Sequence, residues 1–390
     1  AMGMGGALLQ SFQGQWMDYD RDGNLDLHVI RDRLIYSNLF FENQGAQSDV
    51  PFLEIADEIG LDISINSMST SPCDYDRDGD LDIFVSGGLE GNVFLTNDGS
   101  GSYAIMDEPL VVLNEVCWSA QWFDGDCNGW EDLQITTGMA AYTDYPAVLY
   151  QNPDEPDFIF MNNEGELSED SSFFQAPSVL GFATACSDFD DDGFLDLVSH
   201  RIGWTAQVWK GTPNNFNWIK VLPAGTVSNR DGVGTKLELW IDGVPLYRET
   251  YCGENYLGQN SRWEHFGLGE ATSVDSMRVE WSSGLVDVHY SIPSNFNLTV
   301  TEGVAFDPCA EDCSGCIYSE ACNYDELALE DDGSCDFSCW FANNVCGNGT
   351  IWNAVLQQCT ENCPADINGD DTVNVEDLLL LLGSFGMVCL

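Results

Sequence analysis

An acidic loop that runs straight into an apolar strand occurs four times in the first two hundred residues: DYDRDGNLDLHV from position 18, DYDRDGDLDIFV from 74, DGDCNGWEDLQI from 124 and DFDDDGFLDLVS from 188. In each loop, carboxylates or an amide at the first, third and fifth positions can converge on one point, because a glycine at the sixth lets the backbone turn sharply. An Asp at the ninth position then closes the cage. Hard oxygen donors in this arrangement suit calcium, which accepts six to eight oxygens, better than magnesium, which demands a tight octahedron. The side-chain ligands expected are Asp18, Asp20, Asp22 and Asp26; Asp74, Asp76, Asp78 and Asp82; Asp124, Asp126, Asn128 and Asp132; and Asp188, Asp190, Asp192 and Asp196. The seventh residue of each loop, Asn24, Asp80, Trp130 or Phe194, is expected to add its backbone carbonyl. A bare turn needs a Gly or Asn but not clustered carboxylates, so four copies in register read as ligand sets.

Each loop leads into a strand and not a helix, which separates these sites from EF-hands. Leu25, Leu27 and Val29 alternate with Asp26 and His28 at a period of two, and Leu81, Ile83 and Val85 alternate with Asp82. The last ligand and the apolar row are therefore expected on opposite faces. A second element comes after the loops: NLFFENQG at 38, NVFLTNDG at 92 and FIFMNNEG at 158, with QVWKGTPNN alone in the fourth unit. The first three are apolar strands ending in Asn-X-Gly turns at 43–45, 97–99 and 163–165. Units spaced by 56, 50 and 64 residues and built of short strands and tight turns predict β-propeller blades.

These residues resemble the FG-GAP or VCBS repeats of integrin-type propellers, in particular those of the cartilage acidic protein family and its bacterial relatives. The resemblance covers residues 1 to 215. From Asn217 the chain reads NWIKVLPAGTVSNRDGVGTKLELW and then YCGENYLGQNSRWEHFGLGEATSVDSMRVEWSSG, which is similar to the ASPIC/UnbV domain that follows the propeller in the same family. The resemblance implies an extracellular role but no substrate. Family rings normally have more than four blades, so upstream blades are expected, with an incomplete or oligomer-closed ring as the alternative. The opening AMGMGG lacks the pattern of a secretory leader.

Read without the family, residues 216–304 predict a small β-sandwich, with strands at 235–240, 244–251, 276–281 and 297–300 and turns at Asp242-Gly243 and Ser283-Gly284. Its polar residues Arg230, Asp231, Glu254, Asn255, Gln259, Arg262 and His265 either line a binding surface or pin loops through arginine–carboxylate pairs. The second is the expectation.

Residues 305–360 carry CSGCIYSEACNYDELALEDDGSC, which resembles a cysteine-rich motif of secreted multidomain bacterial proteins. Ten of the fifteen cysteines fall between 309 and 389, a density that predicts disulfides in an oxidising compartment. Residues 361–390 carry a loop followed by a helix. Asp366, Asn368, Asp370, the Thr372 carbonyl, Asn374 and Asp377 take the calcium-ligand positions of an EF-hand-type loop. This resembles half of a dockerin, with Asp371 where glycine is expected. Cys363 and Cys389 are expected to clasp it.

With 65 acidic residues against 12 basic, the chain would be repelled by nucleic acid and anionic membranes, and no leucine run is long enough for membrane insertion. Four scattered histidines and no Gly-X-Ser-X-Gly elbow predict no enzyme. The fold expected is mostly β: an integrin-like propeller of four visible blades, a small β-sandwich, a disulfide-rich module and a terminal calcium loop-helix. The function expected is that of a secreted or cell-surface calcium-binding adhesion or scaffold protein, calcium rigidifying the propeller. Its partner would be a protein, an extracellular-matrix component or a polysaccharide. The alternatives are a calcium-dependent glycan-binding module that uses Trp118, Trp122, Trp130, Trp204 and Trp209, or a polysaccharide lyase or hydrolase accessory.

Overall fold

Each acidic loop joins the first and second strands of an antiparallel meander. In the computed structural model the first meander is β1 (Ser11–Met17), β2 (Asp26–Arg31), β3 (Leu39–Asn43) and β4 (Phe52–Glu54), followed by the short helix α1 (Ala56–Ile59). The second is β5 (Ser69–Cys73), β6 (Asp82–Ser86), β7 (Val93–Asn97) and β8 (Tyr103–Ile105). The third is β9 (Cys117–Phe123), β10 (Asp132–Thr137), β11 (Phe158–Asn163) and β12 (Glu166–Glu169). The fourth has three described strands, β13 (Ala183–Ser187), β14 (Asp196–His200) and β15 (Gln207–Trp209). The structure describes residues 11–305, apart from 33, 46, 107–112, 114, 139–156, 171–180 and 202–204, and four short strands beyond.

The first strands of the four meanders stand side by side in the order β1, β5, β9, β13, as the inner strands of propeller blades do. Apolar side chains fill the seams between blades. Met17, Ile30 and Phe40 of the first blade pack with Leu81, Ile83 and Leu95 of the second. Phe84 and Phe94 of the second pack with Trp122, Leu133 and Phe160 of the third, and Phe123 and Ile159 with Leu197 and Trp209 of the fourth. The alternation expected of each second strand is seen at β6, where Ile83 and Val85, with Leu81 just before the strand, share one seam and Phe84 lies in the next, but neither face meets solvent. All five residues of β6 and all six of β10 are buried, and in β2 the more buried row is Asp26, His28 and Ile30. A sheet covered on both sides has no solvent face, so alternation there sorts residues between two neighbours and not between core and water.

The second part of this unit is a two-sheet sandwich. One sheet is β16 (Asn217–Ala224) between β19 (Glu264–Gly269) and β22 (Phe296–Thr301), the last pair parallel. The other is β17 (Lys236–Ile241), β18 (Val244–Glu249), β20 (Ser273–Glu280) and β21 (Val286–Pro293). The Asp242-Gly243 turn between β17 and β18 has positive φ at both residues, 51° and 81°, the twist that tight hairpins favour. The sequence pattern does not reveal β16, β19 and β21. In β19 the reason is Gly267, whose missing side chain leaves room for Asp124 and Cys127 of the third loop.

The segment between β18 and β19 runs across the inner strands of all four blades. Gln13 of β1 donates to the Gly253 carbonyl (3.2 Å), Ser71 of β5 to that of Glu254 (3.5 Å), and Asn255 donates to Gln121 of β9 (3.1 Å). At β13, Cys186 donates its backbone N–H to Asn260 (3.0 Å) and accepts that of Ser261 (3.1 Å). Tyr256 packs its ring against Phe12 and Trp118. Polar inner strands and a polar segment thus satisfy each other along the blade axis.

Contacts divide the chain into residues 1–305 and 306–390. The second unit has two described strand pairs, β23 (Ser314–Gly315) with β24 (Glu330–Asp331) and β25 (Thr350–Asn353) with β26 (Gln358–Glu361). The EF-hand-type ligands Asp366, Asn368, Asp370, Thr372, Asn374 and Asp377 and the Cys363–Cys389 clasp lie outside the described residues.

Candidate metal centres

The four loops fold alike. The fourth residue of each, Arg21, Arg77, Cys127 or Asp191, has φ between 56° and 60°, and the glycine two places on has φ between 89° and 96°. Such left-handed residues turn the backbone so that successive side chains face one centre. The glycine N–H donates to the first Asp in all four: Gly23 to Asp18 (2.8 Å), Gly79 to Asp74 (3.2 Å), Gly129 to Asp124 (2.8 Å) and Gly193 to Asp188 (2.9 Å). Ligand oxygens of Asp18, Asp20 and Asp22 lie within 4.8 Å of one another, as do those of Asp74, Asp76 and Asp78, of Asp124, Asp126 and Asp132, and of Asp188, Asp190 and Asp192.

Two parts of the expected ligand set also make hydrogen bonds of their own. The seventh residues Asn24, Asp80, Trp130 and Phe194 each donate their backbone N–H to the fifth residue, at 2.7–3.0 Å. The ninth Asp ties the loop to the third strand of its blade: Asp26 accepts from Asn43 N–H (2.7 Å), Asp82 from Asn97 (2.8 Å), Asp132 from Asn162 (2.7 Å) and Asp196 from Gly211 (2.8 Å). Among these four, Asp132 alone also belongs to its loop's carboxylate cluster. The Asn-X-Gly turn of the third blade is anchored one residue earlier than its sequence suggests, since Gly165 N–H bonds the side chain of Asn162 (3.0 Å), not of Asn163. Pattern matching on Asn-X-Gly cannot see this, because FMNNEG offers two asparagines.

Four carboxylate oxygens in these loops are buried and make no hydrogen bond: Asp18 Oδ1, Asp82 Oδ2, Asp124 Oδ1 and, 3.1 Å from the Lys210 ammonium, Asp192 Oδ2. A buried anion without a partner is costly, and burial accordingly pushes the carboxyls of Asp74, Asp82 and Asp124 up to about 7, 9 and 8 when no cation is present. A divalent cation at the centre of each loop would remove that cost. By donor type and by these orphaned oxygens, the residues of the first three loops fit calcium.

The sandwich contributes cations to the loops. Lys236 of β17 pairs with Asp18, and Lys220 of β16 with Asp188 (2.7 Å) and Asp191 (3.0 Å). Loops also hold one another. The Arg21 guanidinium stacks on Tyr247 (4.7 Å) and lies beside Gly79 of the second loop, while that of Arg77 stacks on Trp130 of the third (3.8 Å).

Other residues singled out by sequence are structural. Asp231 pairs with both Arg230 (3.1 Å) and Arg262 (3.2 Å), so the arginines pin a loop. His28 is buried against Thr70 (3.0 Å) and His265 against the Gly193 carbonyl (2.8 Å), and burial lowers both imidazoles to about 4. Trp118, Trp122 and Trp209 are buried in blade seams, and Trp204 lies outside the described residues. Sequence reasoning missed Arg248, which pairs with Glu131 inside a cavity of about 100 Å³ between the blades and the crossing segment. Its signal would have been an arginine in an apolar strand row, VPLYRE.

Residues 18–85 match the FG-GAP-like repeat family, and residues 225–306 match the ASPIC and UnbV family. Cartilage acidic protein 1 of Xenopus tropicalis is 28% identical over 263 residues, 64% of this chain, and the chain spans 38% of that relative's length. Among solved structures, the V. cholerae biofilm matrix protein Bap1 aligns over 74% of this chain and 60% of its own at 11% identity, with a TM-score of 0.27, too remote to bear on the fold. The chain therefore carries an FG-GAP-like repeat followed by an ASPIC/UnbV region.

Proposed function

We propose that this chain is an extracellular calcium-binding adhesion or scaffold protein whose blades are stiffened by cations held in the acidic loops. The observation that carries the reading is the buried carboxylate oxygens without hydrogen bonds in the first three loops, Asp18 Oδ1, Asp82 Oδ2 and Asp124 Oδ1, each in a loop of clustered carboxylates. Calcium would be held by Asp18, Asp20 and Asp22 in the first loop, by Asp74, Asp76, Asp78 and Asp82 in the second, and by Asp124, Asp126, Asn128 and Asp132 in the third. The metal supplies charge neutralisation. The protein's part is to fix the loops between strands whose seams are already packed.

Support for the extracellular setting comes from the match to a cartilage acidic protein, from the acidic composition and from the cysteine-dense terminus. Among the described residues no helix is long and apolar enough to cross a membrane. The partner class proposed is a protein or matrix component. A glycan platform is less favoured, because the described tryptophans of the blade seams are buried. At calcium tenfold above a site's dissociation constant, linkage gives about 1.4 kcal/mol per site. Three such sites raise the melting temperature by about 10 °C over that in chelator. An identical melt in calcium and in chelator removes calcium from the structural role.

A further inference from the structure

The fourth loop differs from the other three in where its protons and cations come from. In the first three, the fifth residue's N–H bonds the third residue's side chain: Asp22 to Asp20 (3.1 Å), Asp78 to Asp76 (3.2 Å) and Asn128 to Asp126 (3.1 Å). In the fourth, Asp192 N–H turns instead to Asp188 Oδ1 (3.1 Å). Asp190 is released by this change, and the Lys210 ammonium takes it, with Asp192 Oδ2 3.1 Å from the same nitrogen.

The remaining buried oxygens of this loop are also occupied. Asp188 Oδ2 accepts from Gly193 N–H (2.9 Å) and Lys220 (2.7 Å). Asp196 accepts from Gly211 N–H (2.8 Å) and Phe189 N–H (2.8 Å). Asp192 Oδ2 makes no hydrogen bond, as is true of Asp18 Oδ1, Asp82 Oδ2 and Asp124 Oδ1, but it lies 3.1 Å from the Lys210 ammonium. Lys236 engages Asp18 in the first loop much as Lys220 engages Asp188, but it leaves Asp18 Oδ1 open.

Lys210 has a defined place in the blade pattern. Gly211 gives its N–H to the ninth Asp as Asn43, Asn97 and Asn162 do, so Lys210 stands where the other blades have Glu42, Thr96 and Met161. The fourth blade alone places a cation there. A calcium ion needs six to eight oxygens, and entering this loop would mean displacing Lys210 from Asp190 and Asp192 beside the buried ammonium of Lys220.

We infer that the fourth loop does not take a divalent cation, and that Lys210 supplies there the positive charge that a metal supplies in the other three. The inference rests on the proposal that loops one to three hold calcium. The test is calcium stoichiometry by native mass spectrometry on the full chain, in wild type, Asp76→Asn, Asp190→Asn and Lys210→Met. Differences between variants cancel any contribution from the C-terminal segment. Asp76→Asn should lose one calcium, Asp190→Asn none, and Lys210→Met should gain one. Loss of a calcium in Asp190→Asn, or no gain in Lys210→Met, overturns the inference while leaving calcium in the other loops. Absence of calcium from every variant overturns the calcium reading itself, and this inference with it. A second readout guards against misfolding: in calcium, Lys210→Met should melt with wild type, and in chelator it should melt below it. Equal melts in chelator count against a neutralising lysine.

Discussion

Glu302 shows what a single carboxylate does when the fold surrounds it with donors. Burial works to raise its carboxyl, but the Ser283 hydroxyl and the N–H groups of Ser228, Val227 and Thr226 outweigh burial and hold it at about 2, below the ordinary 4.5. A depressed carboxyl adds stability that is present above the unfolded value and is lost as pH falls through the folded one. Glu302→Gln should therefore cost about 2 to 3 kcal/mol at pH 7. The gap to wild type should close between pH 4.5 and 2 in urea titrations. A gap that persists at pH 2 would show that the loss is packing and not charge. At this scale the clustering of carboxylates such as Asp18, Asp20 and Asp22 was legible, because spacing alone puts them in one turn. The second partners were not. That Asp26, Asp82 and Asp132 hold Asn43, Asn97 and Asn162 depends on which strand lies beside the loop, and local sequence does not encode distance between strands.

Between elements, the seam from the second loop to the third depends on Arg77. Its guanidinium lies 3.8 Å from the Trp130 ring centre, and its Nε and Nη2 are buried without hydrogen bonds. Gly129 must stay a glycine here, since its φ is 89° and a side chain would meet Arg77 and the Gly267 carbonyl. Arg77→Ala should destabilise the protein by about 1 to 2 kcal/mol, through the lost cation–π contact and stem packing, as read from a urea midpoint. A shift smaller than a few tenths would mean that the blades are joined by their apolar seam alone. Strand-level expectations held for β17, β18, β20 and β22, where alternation and Gly turns agree. They did not say what covers each face, since Leu81 and Asp82 are both buried: periodicity says that two faces exist, and not what lies against them.

For the whole molecule, the segment between β18 and β19 makes the sandwich part of the blade array. Gly253, Glu254, Asn255 and Asn260 each hydrogen-bond a different inner strand. Residues 1–215 expressed alone should show no cooperative thermal transition, whereas residues 1–305 should melt in one step in calcium. A cooperative melt of 1–215 at the same midpoint would refute the dependence. The sequence marked this segment as polar and clustered, but a groove-lining loop and a crossing one have the same composition.

The chain's three lysines, Lys210, Lys220 and Lys236, all reach acidic loops, and the side chains of Lys220 and Lys236 are 5% and 9% exposed. Seen by an amine-directed reagent, the folded protein thus offers one open side-chain nucleophile, Lys210, at 54% exposure. Acylation chemistry that scatters labels over the side chains of most proteins would here mark a single side chain, on one known blade and at one known edge of its loop.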